Sequence, residues 1–255
     1  MKRTVAIIVA AGAGRRMNSS VKKQYIEIKS HPVLYYTLKA FEDSAVDGIL
    51  LVTGADEIDY VSQEIVEKYA FKKVLAVIPG GKERYDSVFC GMKYLSDTTD
   101  VEYATGDASN NSADKEIKSE GLNVLVHDGV RLLVSPELIN RVISETENKA
   151  ACIAAVAVKD TIKTVDINDE ITGTCERSML RQVQTPQGFD YALLMGAYKS
   201  MYAAIGQRPE LAKTITDDAM LVEQFTEHPV YCVTGDYRNI KITTPEDILM
   251  AEAFL

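Results

Sequence analysis

The sequence has no apolar run that could cross a bilayer: its longest, Val5–Ala11 and Ala151–Val158, fall far short of the ~20 residues a spanning helix needs. Cysteine and histidine are sparse. Cys90, Cys152, Cys175 and Cys232 are scattered without a CxxC pair and the three histidines are isolated, which argues against a disulfide framework and against a zinc site. Positive charge is also short. The 255 residues carry 28 Lys and Arg against 37 Asp and Glu, a formal net charge of −9, with no basic stripe, so neither nucleic acid nor a membrane is an expected partner. Met1-Lys2-Arg3 leads straight into a strand-like run with no secretory pattern, and a cytoplasmic protein is expected.

What is present describes a globular α/β chain. Hydrophobic residues make up 46% and charged residues 25%, near the globular average. Thr4–Ala10 is a β-branched apolar run suited to a strand buried on both faces, and Gly48–Thr53, Lys73–Ile78, Leu122–His127 and Ala151–Val158 repeat the pattern. Helical spacing falls between them at Val33–Glu42, Glu57–Ala70, Tyr85–Leu95 and Glu137–Asn148. Ser135-Pro136-Glu137 and Thr244-Pro245-Glu246-Asp247 mark two helix starts. The alternation predicts a Rossmann-like fold, a mostly parallel sheet with helices on both faces, built as one domain over residues 1–255. Two segments interrupt it. Ser96–Gly121 is a polar insertion with seven acidic residues and two lysines, and reads as a surface excursion. Asp160–Arg177, with β-type pieces at Thr161–Val165 and Glu170–Thr174, reads as a projecting hairpin.

The chemistry concentrates after the first strand, at Ala10-Ala11-Gly12-Ala13-Gly14-Arg15-Arg16-Met17. Glycines there let the backbone turn and bring N–H groups against phosphate oxygens. Met17 occupies the place of the third glycine of a dinucleotide fingerprint, and no Walker lysine follows, so both a dehydrogenase and a P-loop enzyme are disfavoured. The loop instead carries Arg15 and Arg16, with Lys22 and Lys23 close behind, cations suited to a triphosphate attacked at its α-phosphorus. Asp128 should stand at the carboxyl end of its strand, where open α/β sheets build their sites, as a magnesium ligand or as a turn-forming Asp. His127 reads as a packed side chain, and Lys241, between Ile240 and Ile242 on a strand, should by strand alternation point away from their core face.

Eight short motifs resemble, in order, those of the methylerythritol phosphate cytidylyltransferases. They are the Ala10–Met17 loop, Lys23-Gln24-Tyr25, Gly80–Val88, His127–Arg131, Asp160–Lys163, Gln184–Phe189, Thr216–Ala219 and Asn239–Thr243. The resemblance implies joining of CTP to a sugar-alcohol monophosphate, with Mg²⁺ and release of pyrophosphate. It implies Arg16 and Lys23 as catalytic cations, the KQY register selecting Lys23 over Lys22. It assigns CTP to Ala10, Ala11, Gly12, Gly14, Gly80, Gly81, Ser87, Asp128 and Lys241, with Asp128 also the metal ligand. Arg131, Thr161, Arg177, Thr216 and Asp217 fall to the acceptor. Thr161 and Arg177 would be lent by the neighbouring subunit of a homodimer through the 160–177 arm. Ribitol phosphate cytidylyltransferases share several of these segments and supply an alternative acceptor. A nucleotide sensor on the same fold is a different-class alternative, disfavoured by the joint presence of Arg16, Lys23, Asp128 and Lys241. Leu132, where the family usually has proline, and Arg238, where many members have an acid, depart from the pattern.

Overall fold

The computed structural model describes residues 2–12, 21–98 and 121–255. Gly14, Arg15 and Arg16, and all of the acidic insertion between Thr98 and Gly121, lie outside the described residues.

In chain order the elements are β1 (Arg3–Val9), β2 (Glu27–Ile28), β3 (His31–Pro32), α1 (Val33–Glu42), β4 (Gly48–Thr53), α2 (Ile58–Val61), β5 (Val74–Pro79) and α3 (Arg84–Asp97). There follow β6 (Leu122–Asp128), α4 (Pro136–Lys149), β7 (Ala151–Ala157), β8 (Lys163–Val165), β9 (Ile171–Thr174), β10 (Arg181–Asp190), α5 (Tyr191–Gln207), α6 (Asp218–Phe225), β11 (Tyr231–Thr234) and α7 (Pro245–Phe254). Seven strands form one sheet in the order β11-β7-β10-β6-β1-β4-β5. Every adjacent pair is parallel except the two made by β10, which runs antiparallel to both β6 and β7. The fold is α/β and Rossmann-like, as the spacing predicts.

The buried runs explain the layering. β4 and β6 are buried at every position, so alternate residues feed opposite faces. Val5, Ile7, Leu50 and Val52 join a core with α3, α5 and α6, while Ala6, Ile8, Ile49 and Leu51 join one with α1 and α4. A third, smaller cluster of Ile28, Val33, Val130, Leu132, Ile242 and Ala251 ties α7 and the β2–β3 ribbon to the loop after β6. Leu132 is 3% exposed there, so apolar burial anchors that loop where the family usually has proline.

Five segments differ from expectation. The Glu57–Ala70 stretch is not one regular helix: a 3₁₀ turn at Ala55–Glu57 leads into α2 and then a π-helical Ser62–Glu67. Lys241 sits in an extended connection rather than a strand. Ile242 is nonetheless buried with its N–H donating to the Val130 carbonyl (3.0 Å), and the local alternation still turns Lys241 the other way. β10 and β11 carry no distinct strand pattern, and α5, whose buried Tyr191, Leu194, Met195, Tyr198 and Met201 recur at helical spacing, is a helix beyond the stretches expected above. The β8–β9 hairpin forms a separate ribbon, its strands exposed apart from the half-buried Gly173.

The α4–β7 junction is sharp. Ala150 caps α4 in the left-handed region (φ 58°), its N–H donating to Thr146 O at 2.9 Å. A Cβ is disfavoured in that conformation and glycine is the usual occupant. Ala150→Gly is expected to raise stability by roughly 0.5–1 kcal/mol, about 1–4 °C in Tm for a chain of this size. Thermal unfolding by circular dichroism checks it, and a lower midpoint would contradict it.

Candidate active site

β4 and β5 follow β1 on one side of the sheet, whereas β6 lies on β1's other side. That reversal opens a crevice at the carboxyl ends of β1 and β6, the position at which such sheets bind ligands. A cavity of about 180 Å³ occupies it, lined by Ala10, Ala11, Gly12, Lys23, Gly81, Arg84, Ser87, Asp128 and Lys241 among others. A second cavity of about 320 Å³ adjoins it and shares Arg84, Asp128 and Lys241. Its further lining includes Arg131, Gln187, Thr216 and Asp217.

Each wall has a local cause. The Lys22–Tyr25 segment is pinned on both sides of Lys23. Lys22 pairs with Glu57 (2.8 Å) and Gln24 Nε2 donates to the Ala10 carbonyl (2.7 Å), while the Tyr25 and Thr53 hydroxyls meet at 3.1 Å. Lys23 alone of the two lysines lines the cavity, its Nζ donating to Ile242 O at 3.0 Å. Opposite, Ser87 ties the glycine turn to α3, accepting from Gly81 N–H and donating to Glu83 O, both at 3.1 Å. Gly80 does not line the cavity. Its place is set by packing, since a Cβ there would lie 2.7 Å from Ser87 Oγ and 2.8 Å from Ala11 Cβ.

Asp128, 7% exposed, ends β6 on the floor between the two cavities. Arg84 Nε meets its Oδ1 at 3.2 Å, and Lys241 Nζ and Arg131 Nε meet its Oδ2 at 3.0 and 3.5 Å. Burial by itself would raise this carboxyl, but Arg84, Lys241 and Arg131 together hold it well below the usual carboxylate range. Arg84 reaches on to Asp218 (2.8 Å), and Arg131 to the Asn239 carbonyl (2.7 Å). Among the described residues no cluster of three His, Cys, Asp or Glu side chains could cage a metal. Magnesium can be held by one carboxylate together with phosphate and water oxygens; Asp128 is the carboxylate that lines both cavities, and its oxygens are paired with Arg84, Lys241 and Arg131.

The Gln184–Gln187 segment of β10, where the pairing with β7 shifts register, supplies buried polar struts. Thr185 Oγ1 accepts from the Asp128 N–H (3.1 Å) and meets His127 Nδ1 at 2.9 Å. Gln187 binds Asp217 through its amide nitrogen (2.8 Å) and accepts from Ala219 N–H (3.1 Å). Asp217 also caps α6, accepting from Met220 N–H at 3.0 Å, so capping coexists with a place on the cavity wall. His127 is fully buried against Phe41, and desolvation pushes its imidazole down to about 3. Thr161 and Arg177 are exposed and flank the β8–β9 ribbon, Arg177 opening a 3₁₀ turn after it, and line neither cavity; Arg177 donates to Lys159 O (2.8 Å). Arg238 is tied to Asp236 (2.8 Å) and also lines neither. Arg84 and Asp218, together with Gln187, escape the sequence reading although the motifs contain them. Their roles depend on β6, α3 and α6 converging, which no spacing displays.

Fold and site together define a nucleotidyltransferase. The chain matches the family described as IspD, 2-C-methyl-D-erythritol 4-phosphate cytidylyltransferase, over residues 4–104 and 103–255. A protein of that name from Lachnoclostridium phytofermentans is 46% identical over all of this chain and 97% of its own, and one from Alkaliphilus oremlandii is 40% identical over 100% and 96%. The crystal structure of 4-diphosphocytidyl-2C-methyl-D-erythritol synthase from Anaerococcus prevotii superposes with a TM-score of 0.74 at 33% identity, covering 99% of this chain and 96% of that one. This chain belongs to the 2-C-methyl-D-erythritol 4-phosphate cytidylyltransferase family. The ribitol phosphate and sensor alternatives are set aside.

The buried His127 has a pH consequence. The folded protein excludes its proton down to about pH 3, whereas an unfolded histidine takes one up near ~6.5. Protonation therefore favours the unfolded chain, so this contribution is complete above ~6.5 and declines as pH falls towards 3. Urea midpoints should fall between pH 7 and 4.5, and His127→Gln should flatten that dependence. An unchanged slope in the variant would contradict the assignment.

Proposed function

We propose that this cytidylyltransferase binds CTP in the cavity at the β1–β6 crevice and 2-C-methyl-D-erythritol 4-phosphate in the adjoining one, releasing pyrophosphate and CDP-methylerythritol. The observation that carries the reading is the meeting of Arg84, Arg131 and Lys241 around one carboxylate that lines both cavities, with Lys23 on the wall of the first. A phosphomonoester with a second pKa near ~6 is largely dianionic at neutral pH and needs no general base. An acceptor oxygen attacks the α-phosphorus; the new P–O bond forms as the bond to the β-phosphate oxygen breaks, and the electron pair leaves on pyrophosphate. His127, neutral and buried, takes no part.

The obstacle is the approach of two anions, which positioned cations relieve. Lys23, on the cavity wall, meets the charge that builds on the α-phosphate, and the motif assigns Arg16, outside the described residues, the same role. Lys241 and the Ala10–Gly14 loop hold the triphosphate, Gly81 and Ser87 the nucleoside, and Arg131, Thr216 and Asp217 the acceptor. Asp128 would hold Mg²⁺, which when bound neutralises charge on the triphosphate and the leaving pyrophosphate. Among the described residues no helix is long and apolar enough to cross a membrane. A cytoplasmic enzyme fits these substrates.

Arg16→Met and Lys23→Met should each slow turnover by about a hundredfold or more while leaving Tm nearly unchanged, since each removes a cation worth about 2–4 kcal/mol in the transition state. Lys22→Met, which breaks only the pair with Glu57, should cost far less. Pyrophosphate release with CTP and methylerythritol phosphate, beside ribitol phosphate, tests the whole reading. Turnover of ribitol phosphate alone would overturn the acceptor, and no turnover with either would overturn the enzyme.

The ribbon completes the site in trans. Val165, Ile167 and Ile171 are 51%, 100% and 62% exposed on it, a strip that a second copy would cover. Thr161 and Arg177 would then serve the partner's acceptor cavity. Lys23→Met and Arg177→Ala homodimers should each be nearly inactive, yet mixing should restore activity, because a mixed dimer holds one intact site. Random exchange makes about half the dimers mixed, so recovery should approach roughly a quarter of parent activity. No recovery after verified exchange would place Arg177 in its own chain's site.

A further inference from the structure

Glu57 is a buried carboxylate, 8% exposed, that lines neither cavity. It closes the 3₁₀ turn Ala55–Glu57 that follows β4, and both of its oxygens are engaged. Oε1 meets Lys22 Nζ at 2.8 Å, while Oε2 accepts from the Gly54 N–H at 3.1 Å and from the Thr53 hydroxyl at 3.2 Å. Since the Thr53 hydroxyl gives its one proton to Glu57, the Tyr25 hydroxyl 3.1 Å away is the donor to Thr53. Burial raises the Tyr25 phenol, which therefore keeps the proton it donates. One carboxylate thus ends two tethers, one directly from Lys22 and one from Tyr25 through Thr53. Between them lies the 3₁₀ turn Lys23–Tyr25, and the Tyr60 ring packs edge-on against Tyr25 with centroids 5.2 Å apart.

We propose that Glu57 is a positioning residue for nucleotidyl transfer: it draws Lys22 away from the crevice and, by holding both ends of the Lys22–Tyr25 segment, presents Lys23 to the first cavity. The inference rests on the reading of Lys23 as a catalytic cation. Two adjacent lysines are both able to answer an incoming phosphate, and a lysine stem is flexible, with about 2 kcal/mol of rotamer entropy. The partner of each therefore decides which one is offered. Lys22 has the carboxylate, which favours its charged form and raises its ammonium above the usual range. Lys23 has only the neutral Ile242 carbonyl, at 3.0 Å, and lines the cavity. A hydrogen bond to a neutral acceptor is weaker than one to a carboxylate, so Lys23 is the lysine that a phosphate can claim. Gln24 Nε2, donating to the Ala10 carbonyl at 2.7 Å, fixes the middle of the same segment just beyond β1.

The test is steady-state turnover of the full-length protein with CTP and methylerythritol phosphate, arranged as double-mutant cycles. Glu57→Gln keeps the side-chain length and an oxygen for Thr53 and Gly54 but gives up the charge, so Lys22 is released. Its kcat should fall about fivefold while KM for CTP moves by less than about twofold, the pattern of a contact that matters in the transition state. Lys22→Met removes the other end of the same pair and should cost a similar factor, and the two changes together should be within about twofold of either alone. Lys22→Arg, which can still pair with Glu57, should stay within about twofold of the parent. In a Lys23→Met background Glu57→Gln should cost nothing further, because no catalytic ammonium is left to misplace. Support of the fold alone would lower Tm and multiply in full onto Lys23→Met. An unchanged kcat in folded Glu57→Gln, or the same loss repeated without Lys23, would each overturn the proposal. If Glu57→Gln does not fold, Lys22→Met carries the same cycle, and a loss independent of Lys23 overturns it equally. The two layers separate cleanly: an active parent whose Lys23→Met variant keeps its rate loses the roles of Lys23 and Glu57 together, whereas a slow Lys23→Met beside an unaffected Glu57→Gln removes the role of Glu57 only.

Discussion

The site depends on one buried negative charge held by three positive ones. Asp128 ends β6 below the protein surface, where an isolated carboxylate would be strongly disfavoured. Its ionised form persists because Arg84, Arg131 and Lys241 converge on it from α3, from the loop after β6 and from the connection before α7. The same contacts bring distant stretches of chain to one point. They also leave an excess of positive charge beside two cavities, although the protein as a whole carries −9. Local composition of charge, rather than the total, decides what this crevice attracts.

The positive groups are themselves restrained from outside. Asp218 and the Asn239 carbonyl hold the two guanidinium groups, and Ile242 O accepts from Lys23. Thr185, from the antiparallel β10, accepts from the Asp128 N–H. Preorganised groups of this kind need little rearrangement when charge develops beside them. The cost is a buried polar interior, with Gln184, Thr185, Gln187, Asp218 and Asn239 all under 6% exposed, in which the side-chain hydrogen bonds constrain one arrangement.

How much of this was legible in the sequence follows from what periodicity encodes. Gly48–Thr53 and Val33–Glu42 emerge with the bounds read from their apolar patterns, because burial against a core is what such a pattern records. β10 was invisible for the opposite reason. Its buried positions are Gln184 to Phe189, largely polar, with a proline and a glycine, chosen for hydrogen bonds across the site and not for apolar packing. The π-helical turn after α2 kept an amphipathic pattern while changing its geometry. At the site, Ala10, Gly12 and Asp128 could be found because they lie at or just after strand ends, and Lys23 by the KQY motif that forms a 3₁₀ turn. Arg84 needed the fold, since its two carboxylates stand 44 and 134 residues away in sequence.

The placement of β10 also governs how this sheet comes into being during synthesis. Strands β5, β4, β1 and β6 are all complete by Asp128, but the hydrogen-bonding edge of β6 is covered only by β10, which ends at Asp190. At roughly 5–20 residues per second, the ribosome takes several seconds to deliver the intervening chain. For that interval the nascent protein exposes the unpaired edge of a strand with the apolar run Val124–Val126 at its centre, the type of surface that seeds pairing between neighbouring chains. The strand that brings Thr185 to Asp128 is thus also the one that closes this edge, and crowded polysomes are where its late arrival would be felt.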